Sequence, residues 1–306
     1  MIMNKDLITI SDLTRDDIKQ LLELAVEVKK DIRAYKYELS DKVLGLVFQK
    51  PSARTRVSFQ VGMIQLGGQA AYLNPDDIKL GVREEVRDVA RVLSRYLDGL
   101  VARTFSHKDV IDLAQNADIP VINGLSDLFH PCQAISDLLT IKEKRGDFKG
   151  LTLAYVGDGN NVLHSLLLAG GLAGLNIRAA APEGYEPDAN ILAKAKEFAD
   201  MSGSDIIISK NPVEAVKDVD IVYTDVWASM GQEDEYEQRK KIFKDYQVNT
   251  KLIKNASKDV LVMHCLPAHR GDEITDEVIE SKNSIVFDQA ENRMHAQKAI
   301  LLKLLK

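Results

Sequence analysis

The 306-residue sequence has only two cysteines, Cys132 and Cys265, and they lie far apart in the chain. Neither a disulfide framework nor a paired-cysteine zinc or redox motif is encoded, so both thiols are expected to be free. The amino terminus lacks the apolar core of a signal peptide, and no later run approaches the ~20 apolar residues of a membrane span. These absences predict a cytoplasmic protein without membrane contact.

The sequence also lacks an excess of positive charge, since its formal net charge is −6. Proteins that bind nucleic acid broadly usually carry a basic footprint, so nucleic acid is not expected as a partner. What the sequence does have is a globular composition, with 45% hydrophobic and 28% charged residues. At roughly 100–200 residues per domain, this length predicts two domains.

Helix and strand signals alternate along the chain. A helix is predicted from residue 11, where Thr14 and Asp17 have the spacing of a capping box. Apolar runs predict strands over 42–49, 99–103 and 119–123, with helical stretches around 55–67, 84–96, 107–116 and 132–145. A second series of strands is predicted in "GLTLAYV", "NIRAAAP", "DIIIS", "DIVYTDV", "VLVMH" and "SIVFDQ", before a last helix from Glu291 to Lys306.

This alternation predicts an α/β fold with two doubly wound parallel-sheet domains, an active-site cleft between them and interdomain helices. The charged segment 142–150 separates the two series. The first domain is predicted to span 1–145, with the C-terminal helix 291–306 packing back on it, and the second to span 146–290. Ligand-binding side chains are expected directly after strands, where open α/β sheets place their ligands.

The segment "SARTR", residues 52–56, follows the first strand and opens a helix. Arginines are unfavourable at the positive end of a helix dipole, so an anion is expected to compensate for Arg54. Backbone N–H groups, two hydroxyls and a guanidinium together favour phosphate. The alternative is a capped helix with surface arginines, and Arg56 is expected to pair with an acidic neighbour.

Two further strand ends carry polar residues. Arg103 and Thr104 follow one strand, and His130 and Gln133 open the helix after the next. A guanidinium, an imidazole and an amide converging on one oxygen would polarise a carbonyl group. The alternative for His130 is a structural loop histidine.

The second half has a glycine-containing loop, "GDGNN", whose spacing matches a dinucleotide fingerprint poorly. Asn161 is a candidate for holding the polar end of a ligand, or else a helix cap. Asp225 at a strand end suits an ammonium group. For Trp227 and Met230 the alternative is core packing, which is the commoner role of these residue types.

The segment "HCLPAHRG" follows another strand and contains His264, Cys265 and His269. This spacing is not a standard zinc pattern, so no metal is predicted, and a buried thiol is the alternative for Cys265. Arg293 lies in the first turns of the last predicted helix, where a cation is again unfavourable.

Together these motifs resemble the aspartate/ornithine carbamoyltransferase family over nearly the whole chain. The resemblance is carried by "FQKPSARTRVSF", "DVARVLSRYLD", "VINGLSDLFHPCQAISDLLT", "YVGDGNNVLHSLL", "DVWASMGQE", "HCLPAHRG" and "FDQAENRMHAQKAIL". The segments "DVWASMGQE" and "HCLPAHRG" are similar to the branch of the family that uses ornithine.

The resemblance implies roles for individual residues. Those expected to bind carbamoyl phosphate are Ser52, Ala53, Arg54, Thr55, Arg103, His130, Pro131, Cys132, Gln133, Cys265, Leu266 and Arg293. Those expected to bind ornithine are Asn161, Asp225, Ser229 and Met230. Among these, the residues implied to act in catalysis are Arg103, His130, Gln133, Asp225 and Cys265.

Two segments depart from the family pattern. Ala53 stands where threonine is usual, which would cost about 0.5–1.5 kcal/mol of phosphate affinity if that hydroxyl bonds the ligand. In the loop "NPDDIKLGVREE", Lys79 replaces a usual glutamine and Val82-Arg83 replaces an arginine-glycine pair. In the family this loop reaches a neighbouring subunit, so Lys79 is a candidate cation for phosphate.

The resemblance implies transfer of a carbamoyl group from carbamoyl phosphate to the δ-amine of L-ornithine, without a cofactor, as part of arginine biosynthesis. It also implies a homotrimer or a higher assembly of trimers. One alternative is a carbamoyltransferase acting on another amine, such as putrescine or aspartate. Another is a nucleotide-binding or regulatory module that has kept the fold and lost the chemistry.

Overall fold

The computed structural model describes residues 5–228 and 233–306. The chain divides into two compact units: a first unit of Met1–Leu139 with Asn292–Lys306, and a second unit of Thr140–Glu291. Each unit contains one sheet of parallel strands with helices, so the predicted α/β fold class is confirmed. It stays a prediction that one domain, 1–145 with 291–306, binds carbamoyl phosphate. It also stays a prediction that the other, 146–290, binds ornithine.

The sheet of the first unit has four parallel strands in the order β2-β1-β3-β4. These strands are β1 (Val43–Phe48), β2 (Gln69–Leu73), β3 (Gly99–Arg103) and β4 (Val121–Leu125). The helices are α1 (Arg15–Lys30), α2 (Ala53–Gln65), α3 (Pro75–Ile78), α4 (Val86–Leu93), α5 (His107–Asn116) and α6 (Pro131–Arg145), which extends past the unit boundary.

Local chemistry explains most of these elements. Thr14 caps α1, and the predicted capping box with Asp17 is present. Strands β1 and β3 are buried almost throughout, which is why their apolar runs are continuous rather than alternating. Strand β2 was not indicated by the sequence, because it lies at the sheet edge and its residues are exposed or only half-buried.

The sheet of the second unit has five parallel strands in the order β7-β6-β5-β8-β9. They are β5 (Thr152–Val156), β6 (Asn176–Ala180), β7 (Ile206–Ser209), β8 (Ile221–Thr224) and β9 (Leu261–His264). The helices that follow α6 are α7 (Asn161–Ala173), α8 (Ala189–Ser202), α9 (Pro212–Val216), α10 (Tyr236–Ile242), α11 (Thr250–Ile253), α12 (Asp276–Ile279) and α13 (Val286–Leu305).

Helix α7 is the central helix of the second unit and is buried on nearly every side. Its close approach to α8 depends on Gly171, where an added Cβ would lie 2.7 Å from the carbonyl oxygen of Ala195. The long apolar run of this helix therefore reflects burial all round rather than one amphipathic face.

The predicted strand "SIVFDQ" is wrong. Only Ser284 pairs there, in an isolated bridge with Val262, and α13 begins at Val286, five residues before the predicted start at Glu291. A short apolar run does not distinguish a strand from a buried helix start, and Val286 is buried as part of the helix.

In each sheet, the direction in which successive strands are added along the chain reverses at one place. The reversal lies between β1 and β3 in the first unit, and between β5 and β8 in the second. Such switch points are where open α/β sheets bind ligands, at the carboxyl ends of the strands. In the part of the chain that the structure describes, no helix has the length and apolar character to cross a membrane.

Candidate active site

The turn after β1 opens helix α2 at the switch point of the first unit. Ser52 is the N-cap, and its Oγ accepts a hydrogen bond from the Thr55 backbone N–H at 3.4 Å. The same Oγ donates to Thr55 Oγ1 at 3.0 Å. The first turn has no acidic side chain, and Ala53 and Arg54 are exposed, so this helix end offers positive charge and backbone donors to an anion.

Three guanidinium groups lie near this helix end. Arg293 donates from Nη2 to Thr55 Oγ1 at 3.2 Å, and both Arg293 and Arg103 are 5% exposed. Burial, and then the charges of Arg293 and Arg54, lower the pKa of Arg103 to about 10. Buried like charges repel one another, so a bound anion would relieve an unfavourable interaction that exists in the protein alone.

His130 precedes α6, and Pro131 is the first residue of that helix. Burial, and then the cations Arg293 and Arg103, hold the pKa of His130 well below its usual value. The imidazole is therefore neutral at pH 7, which makes it a hydrogen-bonding group rather than an acid.

Gln133 is 1% exposed and donates from Nε2 to Asp137 Oδ1 at 2.8 Å. Within the residues that the structure describes, its buried Oε1 has no hydrogen-bond partner. Buried acceptors are rarely left unsatisfied, so Gln133 Oε1 is available to accept a hydrogen bond from a ligand.

Cys132 lies between these residues but is fully buried. Its Sγ donates to the Asn123 carbonyl oxygen at 3.5 Å, and burial raises the pKa of the thiol to about 12. Cys132 is therefore a neutral packing group and not a nucleophile. A part for Pro131 and Cys132 in ligand binding stays a prediction.

Among the residues that the structure describes, Arg56 pairs with no acidic side chain, so the expected pairing with an acidic neighbour is wrong for this part of the chain. Its guanidinium carbon lies 3.9 Å from the centroid of the Tyr72 ring, and its Nε donates to Gln60 Oε1 at 3.2 Å. This cation–π contact ties α2 to strand β2. Lys79, one of the residues that depart from the family pattern, is exposed at the end of α3 in a left-handed conformation with φ 40°.

Asp225 follows β8 at the switch point of the second unit and is buried. Its Oδ2 accepts from Asn160 Nδ2 at 2.8 Å, and its Oδ1 accepts from Cys265 Sγ at 2.9 Å. The structure therefore brings together the ends of β5, β8 and β9 around one carboxylate.

The N-cap of α7 is Asn160, whose Oδ1 accepts from the backbone N–H groups of Val162 and Leu163 at 3.0 and 3.2 Å. Asn161 is the first helical residue and is buried, so the alternative that Asn161 caps the helix is wrong. The sequence alone does not single out Asn160 as the cap, because two adjacent asparagines fit the cap preference equally well.

A second carboxylate, Asp158, lies two residues before Asn160. Arg239 donates from Nη1 to Asp158 Oδ2 at 3.0 Å and to the Trp227 carbonyl oxygen at 2.9 Å. Burial raises the pKa of Asp158 to about 6, against the opposing effect of Arg239. Sequence reasoning missed Arg239, because it looks like a surface residue of the charged helix α10.

Cys265 and Leu266 follow β9 in a turn where Leu266 has φ 57° and precedes a cis peptide bond to Pro267. The ligand atoms of Asp225, His264 and Cys265 lie within 4.8 Å of one another. His264 already uses Nδ1 for the Leu266 N–H and Nε2 for Glu273, so these three residues do not form a ready metal site.

Two predicted ornithine-binding residues, Ser229 and Met230, lie outside the described residues. The predicted part of Cys265 and Leu266 in carbamoyl phosphate binding also stays a prediction.

Two models of one protein family match this chain. Residues 5–143 match the family described as aspartate/ornithine carbamoyltransferase, carbamoyl-P binding domain. Residues 149–304 match the same family's Asp/Orn binding domain.

Full-length relatives and a solved structure are also similar. A protein of Pyrococcus furiosus named "Ornithine carbamoyltransferase, anabolic" is 54% identical over 97% of this chain and 95% of its own length. One of Thermoplasma volcanium named "Ornithine carbamoyltransferase, catabolic" is 48% identical over 98% of each chain. The solved structure of ornithine carbamoyltransferase from Pyrococcus furiosus has a TM-score of 0.95 at 54% identity, covering 98% of this chain and 96% of that one.

Proposed function

Because the chain belongs to the aspartate/ornithine carbamoyltransferase family, we propose that it transfers the carbamoyl group of carbamoyl phosphate to the δ-amino group of L-ornithine. The products are L-citrulline and phosphate. The observation that carries the donor half of this proposal is the cluster of Arg54, Arg103 and Arg293 at the start of α2. Two buried guanidinium groups, those of Arg103 and Arg293, and the exposed one of Arg54 at a helix N-terminus suit a phosphate dianion.

In the first unit, carbamoyl phosphate is held through its phosphate by the backbone N–H groups and hydroxyls of residues 52–55, with the three arginines. The carbamoyl end lies toward His130 and Gln133. Neutral His130 donates a hydrogen bond to the carbonyl oxygen, and Gln133 Oε1 accepts one from the carbamoyl NH2 group. Loss of one such donor at an oxyanion costs roughly 2.7–4 kcal/mol of barrier in other enzymes.

The chemical step needs an unprotonated amine, since an ammonium group has no lone pair. The δ-nitrogen attacks the carbamoyl carbon, a tetrahedral intermediate forms, and the C–O bond to phosphate breaks. The proton lost by the nitrogen goes to the departing phosphate, so the step balances without a cofactor. Catalysis by this arrangement is mostly positioning and electrostatic stabilisation.

In the second unit, Asp225 is the group that attracts the amino acid substrate, and Asn160 and Cys265 are its hydrogen-bond partners. Asn161 belongs to the same proposal through the family resemblance. The pair of Asp225 with the Cys265 thiol is supported by their 2.9 Å hydrogen bond. A thiol that donates its proton to the carboxylate can accept a hydrogen bond from the amine through a sulfur lone pair. Ser229 and Met230 belong to the same proposal through the family resemblance.

A steady-state assay of the purified protein tests the function. With carbamoyl phosphate present, L-ornithine should give citrulline, whereas putrescine and aspartate should give little carbamoylated product. Preference for putrescine or aspartate would assign the protein to another amine. No carbamoylated product from any of the three would favour a module that has lost the chemistry.

We further propose that the reaction serves arginine biosynthesis, in a cytoplasmic homotrimer or a larger assembly of trimers. The 54% identity to a relative named anabolic supports the direction, although the relative named catabolic is nearly as similar. Comparing rates of citrulline formation and phosphorolysis tests the direction. Light scattering tests the assembly: a mass of three or a multiple of three chains is expected, and a monomer would contradict it.

A further inference from the structure

Two fully buried residues of the second unit, His264 and Glu273, have no part in the mechanism above. They are nevertheless joined to the turn that carries Cys265. The Leu266 backbone N–H donates to His264 Nδ1 at 2.9 Å, and His264 Nε2 lies 3.1 Å from Glu273 Oε1. The histidine therefore connects the turn after β9 to an acidic residue nine positions farther along the chain.

The geometry assigns the proton of the imidazole. Nδ1 accepts from a backbone N–H and so carries no proton, which leaves the proton on Nε2 to be donated to Glu273 Oε1. Glu273 Oε1 also accepts from the His269 backbone N–H at 2.6 Å. Both side chains are thus fixed, and the hydrogen bond from Nε2 to Glu273 sets the orientation of the His264 ring.

The turn itself needs such support. Leu266 has φ 57°, a left-handed conformation that a leucine adopts unwillingly and keeps only when its surroundings hold it there. The residue between His264 and Leu266 is Cys265, whose Sγ donates to Asp225 Oδ1 at 2.9 Å. If Leu266 relaxed toward an ordinary conformation, the adjacent Cys265 side chain would be carried away from Asp225.

We propose that His264 and Glu273 are positioning residues that hold the Cys265-Leu266 turn and thereby keep the Cys265 thiol on Asp225. This inference rests on the proposed function, in which that pair orients the amine of the substrate. Neither residue touches the reacting atoms; each acts through the turn.

Paired substitutions separate the two hydrogen bonds. Glu273→Gln keeps an acceptor for both Nε2–H and the His269 N–H, whereas Glu273→Leu removes it. His264→Asn offers Oδ1 to the N–H two residues on, as asparagine does in Asx-turns, whereas His264→Leu removes that acceptor. We expect the two leucine variants to raise the KM for ornithine by about tenfold or more and to lower kcat, because small displacements near the reacting groups are costly. Glu273→Gln should stay near wild type, and His264→Asn should recover part of the loss.

The rate of Cys265 alkylation by iodoacetamide, measured in a Cys132→Ala background, gives a readout that loss of stability alone would not change. A thiol released from its acceptor carboxylate should react faster, by about threefold or more. Ile279→Ala is the matched control, because Ile279 is a buried core residue of α12 outside this hydrogen-bond chain. It should lower the stability of the second unit without changing the alkylation rate or the KM.

Alkylation rates and KM values in the leucine variants that match those of Ile279→Ala would overturn the proposal. So would a His264→Asn variant no better than His264→Leu in both measurements. If the wild-type protein made no citrulline, the proposed function would fail, but the alkylation rates would still report whether the two residues hold the turn.

Discussion

The charge of Arg103 offers the sharpest test of the cationic cluster. Its folded pKa is about 10 against an ordinary value of 12.5, and at 1.36 kcal/mol per pKa unit this difference corresponds to about 3 kcal/mol. Because the folded pKa is the lower one, the unfolded chain binds this proton more tightly than the folded chain does. The charged arginine therefore destabilises the ligand-free protein at every pH below about 10, including neutral pH.

Arg103→Met removes the charge and keeps an unbranched apolar side chain at this buried position. The variant also loses the hydrogen bonding of the charged guanidinium, and one bond to a charged group is worth about 1.5–3 kcal/mol. We therefore expect a net gain of up to about 2 kcal/mol in the free energy of unfolding without ligand. Urea unfolding at pH 7.5 measures this, with Arg87→Met, at an exposed arginine of α4, as the control that should change little.

The same variant should lose the stabilisation that a bound anion provides. At a ligand concentration 100 times its Kd, carbamoyl phosphate would stabilise the wild-type protein by about 2.7 kcal/mol. In Arg103→Met this increment should nearly vanish, while Arg87→Met should keep it. A ligand-free variant less stable than wild type by more than about 1 kcal/mol would refute the reasoning about buried like charges. If carbamoyl phosphate stabilised Arg103→Met as much as the wild-type protein, the placement of Arg103 in the phosphate site would be refuted.

Three other changes test separate parts of the two sites. Arg54→Ala should abolish binding of carbamoyl phosphate in calorimetry with an unchanged circular dichroism spectrum, and unchanged affinity would contradict its role. Because the folded pKa of Asp158 is raised to about 6 from 3.8, the free energy of unfolding should fall by about 1 kcal/mol as pH rises from 5 to 7.5. Asp158→Asn should flatten this pH dependence. An equal slope in both proteins would count against Asp158 as its source. Cys265→Ser should alter the KM for ornithine more than the affinity for carbamoyl phosphate, and equal losses would argue against a place beside the amine.

The fold was predictable where burial leaves a strong local pattern. Strands such as β1 and β3 are covered on both faces, so their sequences are unbroken apolar runs. Strand β2 lies at an edge with little buried surface and has no such run. The start of α13 carries residues that favour strands, yet it is helical, with Val286 packed in the apolar core of the second unit.

The candidate site was predictable where its residues follow strands. Arg103 and Asp225 were predicted as site residues because each lies at the carboxyl end of a strand in its own parallel sheet, where ligands are expected. Arg239 and Glu273 were not found, since each reaches its partner from a distant part of the sequence: Arg239 bonds a residue 81 positions away. Contacts of this kind leave no periodicity or short motif to detect.

The charges of the two units address different requirements of the same reaction. The first unit gathers cations, which suits an anionic donor and its phosphate leaving group. A bare carboxylate in the second unit would hold the amine as ammonium, the form that does not react. Asp225 already accepts hydrogen bonds from Asn160 and Cys265, so part of its charge is offset before any substrate binds. Under the proposed function, a carboxylate moderated in this way would attract the amine while opposing its deprotonation less strongly, as nucleophilic attack at neutral pH requires.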